Sequence, residues 1–349
     1  MALLEIHDLH TFFKTKKGIV KAVNGVSYSV EPGKTLGVVG ESGSGKSVSA
    51  MSILKLLDGN GYIDSGEILF NGQDLTKLSM NEMYKIRGNE ISVIFQEPMT
   101  SLNPVFTVSR QISEPLMIHQ GMTKKQAAAK AVELLSDVKI PNPEVVAKQY
   151  PHQLSGGMRQ RVVIAIALSC DPDLLICDEP TTALDVTIQA KILELIRSIQ
   201  KERGISVIYI THDLGVVAKV ADYVDVMYAG KIVETGTIDE IFYDPRHPYT
   251  WGLLSAMPDL DTADERLYTI PGSPPNLLHE KAGDAFAPRN KYALKIDDEI
   301  DPPMFKISDT HFAATWLLDP RAPKVEMPPE LKERVARMRA EAKKIEEAE

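Results

Sequence analysis

The sequence is short of cysteine, of long apolar runs and of positive charge. Its 349 residues include two cysteines, Cys170 and Cys177, each beside apolar residues and neither in a Cys-x-x-Cys pair. A disulfide framework and a cysteine-based metal site are therefore unsupported, and both residues are interpreted as small buried hydrophobes. Lys and Arg number 39 against 48 Asp and Glu, which gives a formal net charge of −9. Because this charge provides no positive field for a phosphate backbone, we expect no nucleic-acid partner.

No apolar stretch is long enough for a membrane span. The run 162–168 falls far short of the roughly 20 residues that a transmembrane helix needs. Any membrane involvement would therefore require another chain. The first ten residues contain Glu5, His7 and Asp8, where a secretory signal needs a basic stretch followed by an apolar one. We therefore expect the protein to remain in the cytoplasm.

The composition is that of a globular protein, with 44% hydrophobic and 25% charged residues. Short β-type runs at 3–6, 22–30 and 67–70, the last followed by the hairpin signal Asn71-Gly72, predict an antiparallel layer. Continuous apolar runs separated by helical segments predict a parallel sheet buried on both faces. Those runs are 36–39, 91–95, 174–177 and 205–210. The predicted core is α/β.

Composition also indicates how the chain is divided. Helical apolar spacing at 109–136 predicts a helical subdomain, at about 97–165, inserted in a first domain of residues 1–258 and suited to contact with a partner. Prolines then become frequent, which marks a C-terminal extension at 259–328. Residues 329–349 predict a charged helix with one thin apolar stripe, lying on its own protein. The stripe is Leu331, Val335, Met338, Ala342 and Ile345.

Residues 40–47 read Gly-Glu-Ser-Gly-Ser-Gly-Lys-Ser and stand between a predicted strand and a predicted helix. This is the setting of a phosphate-binding loop, in which glycines let successive N–H groups point inward at the start of a helix. Lys46 is placed to reach the β- and γ-phosphates of a nucleotide, and Ser47 to ligate Mg²⁺. The candidate phosphate-binding residues are Gly40, Ser42, Gly43, Ser44, Gly45, Lys46 and Ser47.

Two further motifs carry polar groups suited to the same chemistry. The buried run 174–177 leads into Asp178 and Glu179, whose side chains point to opposite sides if the strand continues. One carboxylate then suits Mg²⁺ and the other an attacking water, although a solvated loop entry also fits.

Ser155, Gly156 and Gly157 open a helix, and two glycines there favour close approach to an anion. Ser155 also fits a plain helix cap.

In this order, the three motifs resemble those of the ATPase subunits of ABC transporters, and the resemblance covers about residues 3–245. It extends to Gln96 at the Q-loop position, to 183–185 with Asp185 at the D-loop position, and to His212 at the switch position. Two such subunits enclose two ATP molecules, each between one chain's phosphate loop and the other chain's Leu-Ser-Gly-Gly segment. The resemblance thus implies that Ser155, Gly156 and Gly157 act in trans.

The same resemblance implies a role for each matching residue. Asp178 supports Mg²⁺ with Ser47 and Gln96, Glu179 polarises the attacking water, and His212 steadies the γ-phosphate. Gln96 also couples the nucleotide state to a membrane partner, and Asp185 contacts the paired subunit. Phe13 matches the aromatic residue that stacks on adenine, although it fits a core position equally well.

A narrower resemblance concerns the end of the chain. His247-Pro248-Tyr249-Thr250 and the stretch from Gly283 to Leu318 are similar to oligopeptide, dipeptide and nickel importer ATPases. Many of these proteins hold an iron–sulfur cluster through four cysteines. This chain has Asp284, Asn290, Asp297 and Thr315 at those positions, so no cluster is expected.

These observations predict the ATP-hydrolysing subunit of a peptide importer, peripheral on the cytoplasmic face of the membrane, with a dipeptide or nickel importer as the alternative. The implied partners are a second, distinct ATPase subunit, two membrane-spanning permeases and an extracytoplasmic substrate-binding protein. A soluble ABC ATPase acting on ribosomes or DNA usually has two cassettes or a long coiled-coil insertion, and neither is present. A kinase or GTPase would leave the segment 154–160 without a role, and no Asn-Lys-x-Asp motif occurs.

Overall fold

A computed structural model describes residues 2–96, 101–181, 185–257, 269–278 and 282–346; for Val186 and residues 341–346 it describes the backbone alone. The strands are β1 (Leu4–Thr15), β2 (Gly18–Val30), β3 (Thr35–Val39), β4 (Gly61–Phe70), β5 (Gln73–Asp74), β6 (Ile91–Ile94), β7 (Leu174–Asp178), β8 (Ser206–Thr211), β9 (Tyr223–Tyr228), β10 (Lys231–Thr237), β11 (Phe305–Lys306) and β12 (Phe312–Ala313). The helices are α1 (Lys46–Ile53), α2 (Met80–Ile86), α3 (Val108–His119), α4 (Lys124–Asp137), α5 (Pro143–Val146), α6 (Gly156–Ala167), α7 (Val186–Arg203), α8 (Leu214–Val220), α9 (Ile238–Tyr243), α10 (Pro248–Ser255) and α11 (Pro329–Glu346).

The antiparallel layer has the strand order β2-β1-β4-β5. Asn71 and Gly72 connect β4 to β5 with φ angles of 49° and 78°, and Phe70 pairs with Gln73 on either side of them. Positive φ at both central residues is what a two-residue hairpin turn requires, since it matches the twist of the strands. The predicted hairpin and layer are therefore present.

The second sheet has the order β11-β12-β10-β9-β3-β8-β7-β6. Strands β9, β3, β8, β7 and β6 are parallel, whereas β10 and the two short strands pair antiparallel to their neighbours. All residues of β3 and β8 are buried, which explains their continuous apolar runs. The predicted α/β class is confirmed. The sheet is mixed because β10, β11 and β12 pair antiparallel, and the four strands after residue 222 were not predicted.

Alternation along β7 directs its side chains into two different apolar clusters. Leu174 and Ile176 face the antiparallel layer and α1, whereas Leu175 and Cys177 face the helical side. On that side α3, α4, α6 and α7 contribute to one continuous apolar cluster. The helical insertion is therefore part of the core behind β7, and its position is fixed relative to the end of that strand.

The C-terminal extension is joined to the rest of the chain by pairing and by packing. Strand β12 of the extension pairs with β10, with Glu234 opposite Ala313. The extension therefore adds strands at the edge of the main sheet. A third apolar cluster combines residues of β9, α9 and α10 with Phe286 of the extension and with Leu331 and Val335 of α11. None of the helices described is long and apolar enough to cross a membrane.

We predict that Leu331→Ala lowers the free energy of unfolding by about 2–5 kcal/mol, because truncating a buried leucine loses apolar contact and leaves a cavity. Leu331 is 2% exposed, on the stripe that attaches α11 to the third cluster. Glu333→Ala, at an exposed position of the same helix, should change stability by no more than about 0.5 kcal/mol. Urea denaturation measures both; equal effects would show that α11 is not held by its apolar stripe.

Candidate functional site

The loop 40–47 runs from the end of β3 to the start of α1, with Gly45 as the residue that caps the helix. Gly40 and Gly45 have φ angles of 153° and 101°, where side chains are strained. A Cβ at Gly40 would lie 2.2 Å from the carbonyl oxygen of Met227, and one at Gly45 would lie 2.4 Å from that of Ala22. Glycine is therefore required both for the turn and for close packing against neighbouring backbone.

Lys46 is buried inside this loop and is only 5% exposed. Its Nζ donates to the carbonyl oxygens of Gly40 at 2.7 Å and Glu41 at 2.9 Å, and lies 3.4 Å from the Ser44 hydroxyl. Burial lowers the pKa of the ammonium, against the raising effect of the carboxylates of Glu179 and Asp178. The Lys46 ammonium is therefore bound to neutral acceptors within the loop. Charged phosphate oxygens could take the place of these acceptors and would bind it more strongly.

Ser47 and Asp178 meet although 131 residues separate them, because β7 ends beside the start of α1. The Ser47 hydroxyl donates to Asp178 Oδ1 at 2.8 Å. Burial raises the pKa of the Asp178 carboxyl, and the Ser47 hydrogen bond opposes that shift. Both side chains offer the hard oxygen ligands that Mg²⁺ prefers.

Glu179 brings together the ends of three parallel strands. Gln96, after β6, donates from Nε2 to Glu179 Oε2 at 3.1 Å, and His212 Nδ1, after β8, lies 3.2 Å from Glu179 Oε1. The sequence predicted that Glu179 would follow the strand alternation, and this was wrong. Its φ is 46°, so the backbone turns left-handed immediately after Asp178 and separates the two carboxylates.

Other predicted residues lie away from this cluster. Ser155 is exposed at the start of α6, where its hydroxyl accepts from the N–H of Met158 at 3.3 Å, and Gly156 is exposed beside it. A Cβ at Gly157 would lie 3.1 Å from Ile188 Cγ2, so packing against α7 is a second reason for that glycine. Asp185 caps α7 by accepting from Ile188 N at 3.0 Å; Ala183 and Leu184 lie outside the described residues.

Phe13 is half-buried and Phe12 is buried on the other face of β1. The Phe13 ring packs over Gly61 of β4, since a Cβ there would lie 2.7 Å from Phe13 Cε1. This position leaves part of the ring accessible, which a stacking residue needs.

Sequence reasoning missed the support beneath the loop. Gly230, in the turn between β9 and β10, donates its N–H to the Ser44 carbonyl at 2.9 Å and accepts from Asn24 N at 2.8 Å. Ala229 and Gly230 have φ angles of 49° and 82°, as in a two-residue hairpin turn. The available signal was a glycine between two alternating apolar runs. Also missed was Glu41, a variable position of the loop motif, which is bound by the C-terminal extension.

Two family models match the chain. The ABC transporter model matches residues 23–182, and the model of the oligopeptide/dipeptide transporter C-terminal region matches residues 233–296. The oligopeptide transport ATP-binding protein OppD of Bacillus subtilis is 59% identical over 96% of this chain and 94% of that protein. The dipeptide transport ATP-binding protein DppD of Lactococcus lactis is 58% identical over 93% of each.

Solved structures support the same assignment. A dimeric, post-hydrolysis state of the ATP-binding cassette MJ0796 bound to ADP and Pi is similar with a TM-score of 0.61 and 27% identity, over 67% of this chain and 98% of that one. The structure of cbiO1 from Clostridium perfringens is similar with a TM-score of 0.60 and 28% identity, over 70% and 91%. The sheet, the loop and the paired carboxylates define a P-loop nucleotide-binding protein of the α/β class. The chain belongs to the ATP-binding proteins of the ABC transporter family, and it is an ATPase.

We predict that Gly45→Ala destabilises the protein more than Gly43→Ala. Both positions have positive φ, 101° and 80°, so each alanine costs about 1–2 kcal/mol in backbone strain. At Gly43 a Cβ meets nothing within 4 Å, whereas at Gly45 it meets the Ala22 carbonyl. Chemical denaturation of the two variants compares these costs. Equal losses of stability would mean that contact with β2 does not constrain the loop.

Proposed function

We propose that this chain is the ATP-hydrolysing subunit that energises peptide import through a multi-subunit ABC transporter. The observation that carries the proposal is the meeting of Gln96, Glu179 and His212 at the sheet edge that also holds Lys46, Ser47 and Asp178. The named relatives transport oligopeptides and dipeptides, which supports a peptide as cargo. The match to the C-terminal model of the same transporters supports this further.

In this proposal the phosphate groups of ATP lie in the loop 40–47. The N–H groups of the loop and the hydroxyls of Ser42 and Ser44 face the phosphates, and Lys46 exchanges its carbonyl partners for phosphate oxygens. Phe13 stacks on the adenine.

The donor set at the end of β7 fits Mg²⁺. Ser47 and Asp178 provide two oxygens already in contact, and Gln96 provides a third side-chain oxygen at the next strand end. A bound Mg²⁺ would neutralise the charge that develops on the phosphate oxygens. Burial raises the pKa of Asp178 even though the ammonium of Lys46 opposes the shift, and a bound divalent cation would stabilise the charged carboxylate further.

Glu179 is proposed as the general base of hydrolysis. Its carboxylate accepts a proton from the water that attacks the γ-phosphorus, while the bond from that phosphorus to the bridging oxygen of ADP breaks. Gln96 and His212 hold the two carboxylate oxygens and so fix the direction in which the carboxylate faces the water. His212 also steadies the γ-phosphate.

We predict that Glu179→Gln keeps ATP binding and slows turnover by roughly 10²- to 10⁴-fold, because the amide cannot accept the proton. The amide retains the shape of the side chain and one acceptor oxygen, so one of the two contacts at the strand end can persist. Phosphate release by the assembled transporter measures the effect. Glu90→Gln is a matched control at the opposite end of the sheet, just before β6, and should leave turnover unchanged. Turnover near the parental rate for Glu179→Gln would assign water activation to another group.

We further propose that two ATPase subunits share each nucleotide. The exposed start of α6, with Ser155, Gly156 and Gly157, would contact the γ-phosphate of ATP bound to the partner's loop, and Asp185 would contact the partner chain. The dimeric state of the similar cassette bound to ADP and Pi supports this arrangement. We propose a related but distinct ATPase as the partner.

We predict that Ser155→Arg leaves ATP binding by this chain unchanged but prevents hydrolysis at the site built on the partner's phosphate loop. The arginine would occupy the space where the partner's nucleotide must enter. Ser79→Arg is the matched control, since Ser79 also caps a helix at an exposed position and lies outside the helical subdomain. The measurements are ATP titration of the isolated chain and ATP turnover with peptide uptake by the full complex. Parental turnover and uptake in the Ser155 variant would exclude sharing through this segment.

The remaining partners and the location follow from the same family. We propose two membrane-spanning permease subunits, contacted through the helical subdomain at about 97–165 and signalled to by Gln96, and an extracytoplasmic binding protein that selects the cargo. This chain would then lie on the cytoplasmic face of the membrane. The proposed division remains 1–258 for the ATPase domain, 259–328 for the extension and 329–349 for the final helix.

We also propose that the extension folds without an iron–sulfur cluster, because clusters are held by thiolates and both cysteines lie in the ATPase domain. The four side chains at the cluster positions instead bind backbone N–H groups close in sequence. The pairs are Asp284 with Phe286 N at 2.9 Å, Asn290 with Tyr292 N at 2.9 Å, Asp297 with Leu294 N at 2.5 Å, and Thr315 with Leu317 N at 3.3 Å. These are local turns that close without a metal.

A further inference from the structure

Glu41, the second residue of the phosphate loop, is bound by an arginine of the C-terminal extension 248 residues later in the chain. Arg289 Nη1 lies 2.5 Å from Glu41 Oε2, and Nη2 lies 3.0 Å from Oε1. This two-point contact fixes both the position and the orientation of the carboxylate. The Arg289 side chain is 5% exposed and that of Glu41 is 28% exposed, so the pair is largely withdrawn from water.

Arg289 is itself held in place by other groups. Its Nε donates to the carbonyl of Pro271 at 2.8 Å, and its guanidinium lies 5.7 Å from the centre of the Tyr228 ring. The hydrogen bond to Glu41 raises the pKa of Arg289, so the cation is permanent. The guanidinium therefore approaches the loop from a fixed support.

The backbone of Glu41 is held as well. Its N–H donates to the hydroxyl of Tyr249, on α10, at 2.8 Å. Tyr249 is fully buried, and its ring packs on Tyr228 and on Phe286 of the extension, with centroids 4.7 Å and 5.3 Å away. On the other side, the Glu41 carbonyl accepts from Lys46 Nζ. Through these contacts Glu41 connects Lys46, the residue proposed to bind phosphate, with the C-terminal extension.

We propose that Arg289 and Tyr249 are positioning residues, which act through Glu41 to hold the phosphate loop in the conformation that receives ATP. Arg289 has a second effect, because it neutralises a carboxylate that lies in a loop meant for a polyphosphate. An unpaired Glu41 would repel the phosphates and leave a partly buried charge without a partner. The C-terminal extension is thereby a determinant of ATP affinity. This inference rests on the proposed ATP site at Lys46.

The experiment is ATP titration of the full chain in four forms: the parent, Arg289→Gln, Glu41→Gln, and the two changes together. We expect Arg289→Gln to weaken ATP binding by roughly tenfold or more, since it breaks a charge-assisted two-point contact. Adding Glu41→Gln should restore much of that loss, because the uncompensated carboxylate is gone. Arg289→Lys, which keeps the charge without the planar fork, should fall between the parent and Arg289→Gln.

A second pair of variants separates positioning from general stability. Tyr249→Phe removes only the hydroxyl that binds Glu41 N–H and should weaken ATP binding by about three- to tenfold. It should also speed hydrogen exchange of the Glu41 amide in the nucleotide-free chain. Tyr292→Phe removes the hydroxyl of a tyrosine whose ring packs against Trp251 in the same aromatic region, and it should change neither quantity.

The outcomes are distinguishable. If the parent itself fails to bind ATP, the proposed function fails. If the parent binds and Arg289→Gln binds equally well, the inference alone is overturned. A loss that Glu41→Gln does not relieve, or a Tyr249→Phe amide that exchanges at the parental rate, overturns the assigned role of the Arg289 charge or of the Tyr249 hydroxyl respectively.

Discussion

Parallel pairing of β3, β8, β7 and β6 is the constraint on which the rest of the structure depends. Every residue of β3 and β8 is buried, because each has strands on both sides and apolar clusters on both faces. Polar side chains are therefore accommodated mainly where these strands end, and the carboxyl ends of parallel strands lie at one edge. Lys46, Asp178, Glu179, Gln96 and His212 are close together for this reason, although they are distant in sequence.

At that edge four charged side chains each have a hydrogen-bonding partner. Lys46 lies on loop carbonyls, Asp178 on the Ser47 hydroxyl, Glu179 on Gln96 and His212, and Glu41 on Arg289. Because these groups are wholly or partly buried, an unmatched one would destabilise the loop. In the proposed ATP site Lys46 would exchange its carbonyl partners for phosphate oxygens, so the incoming negative charge would meet a cation that is already in place. Such a site can be stable before its substrate arrives and still bind it.

The sequence predicted those parts of the site that depend on local pattern. Apolar runs followed by polar residues identify strand ends, and the spacing of glycines around Lys46 identifies the loop. It did not predict the left-handed turn at Glu179, because no local signal distinguishes that conformation from a continuing strand. Strands β11 and β12 have two residues each, too few to show an alternation. The contact of Glu41 with Arg289 depends on tertiary packing across 248 residues, which no motif records.

The position of Arg289 in the extension depends on short-range hydrogen bonds, which close the turns on either side of it. Asp284 and Asn290 lie on either side of Arg289, and their side chains accept from the N–H groups of Phe286 and Tyr292. Phe286 lies between these two turns and packs against Tyr249. Arg289 and Tyr249, which both bind Glu41, are therefore parts of one packed unit. Two turns, each closed by a side chain, therefore fix the backbone on either side of the arginine that faces the phosphate loop.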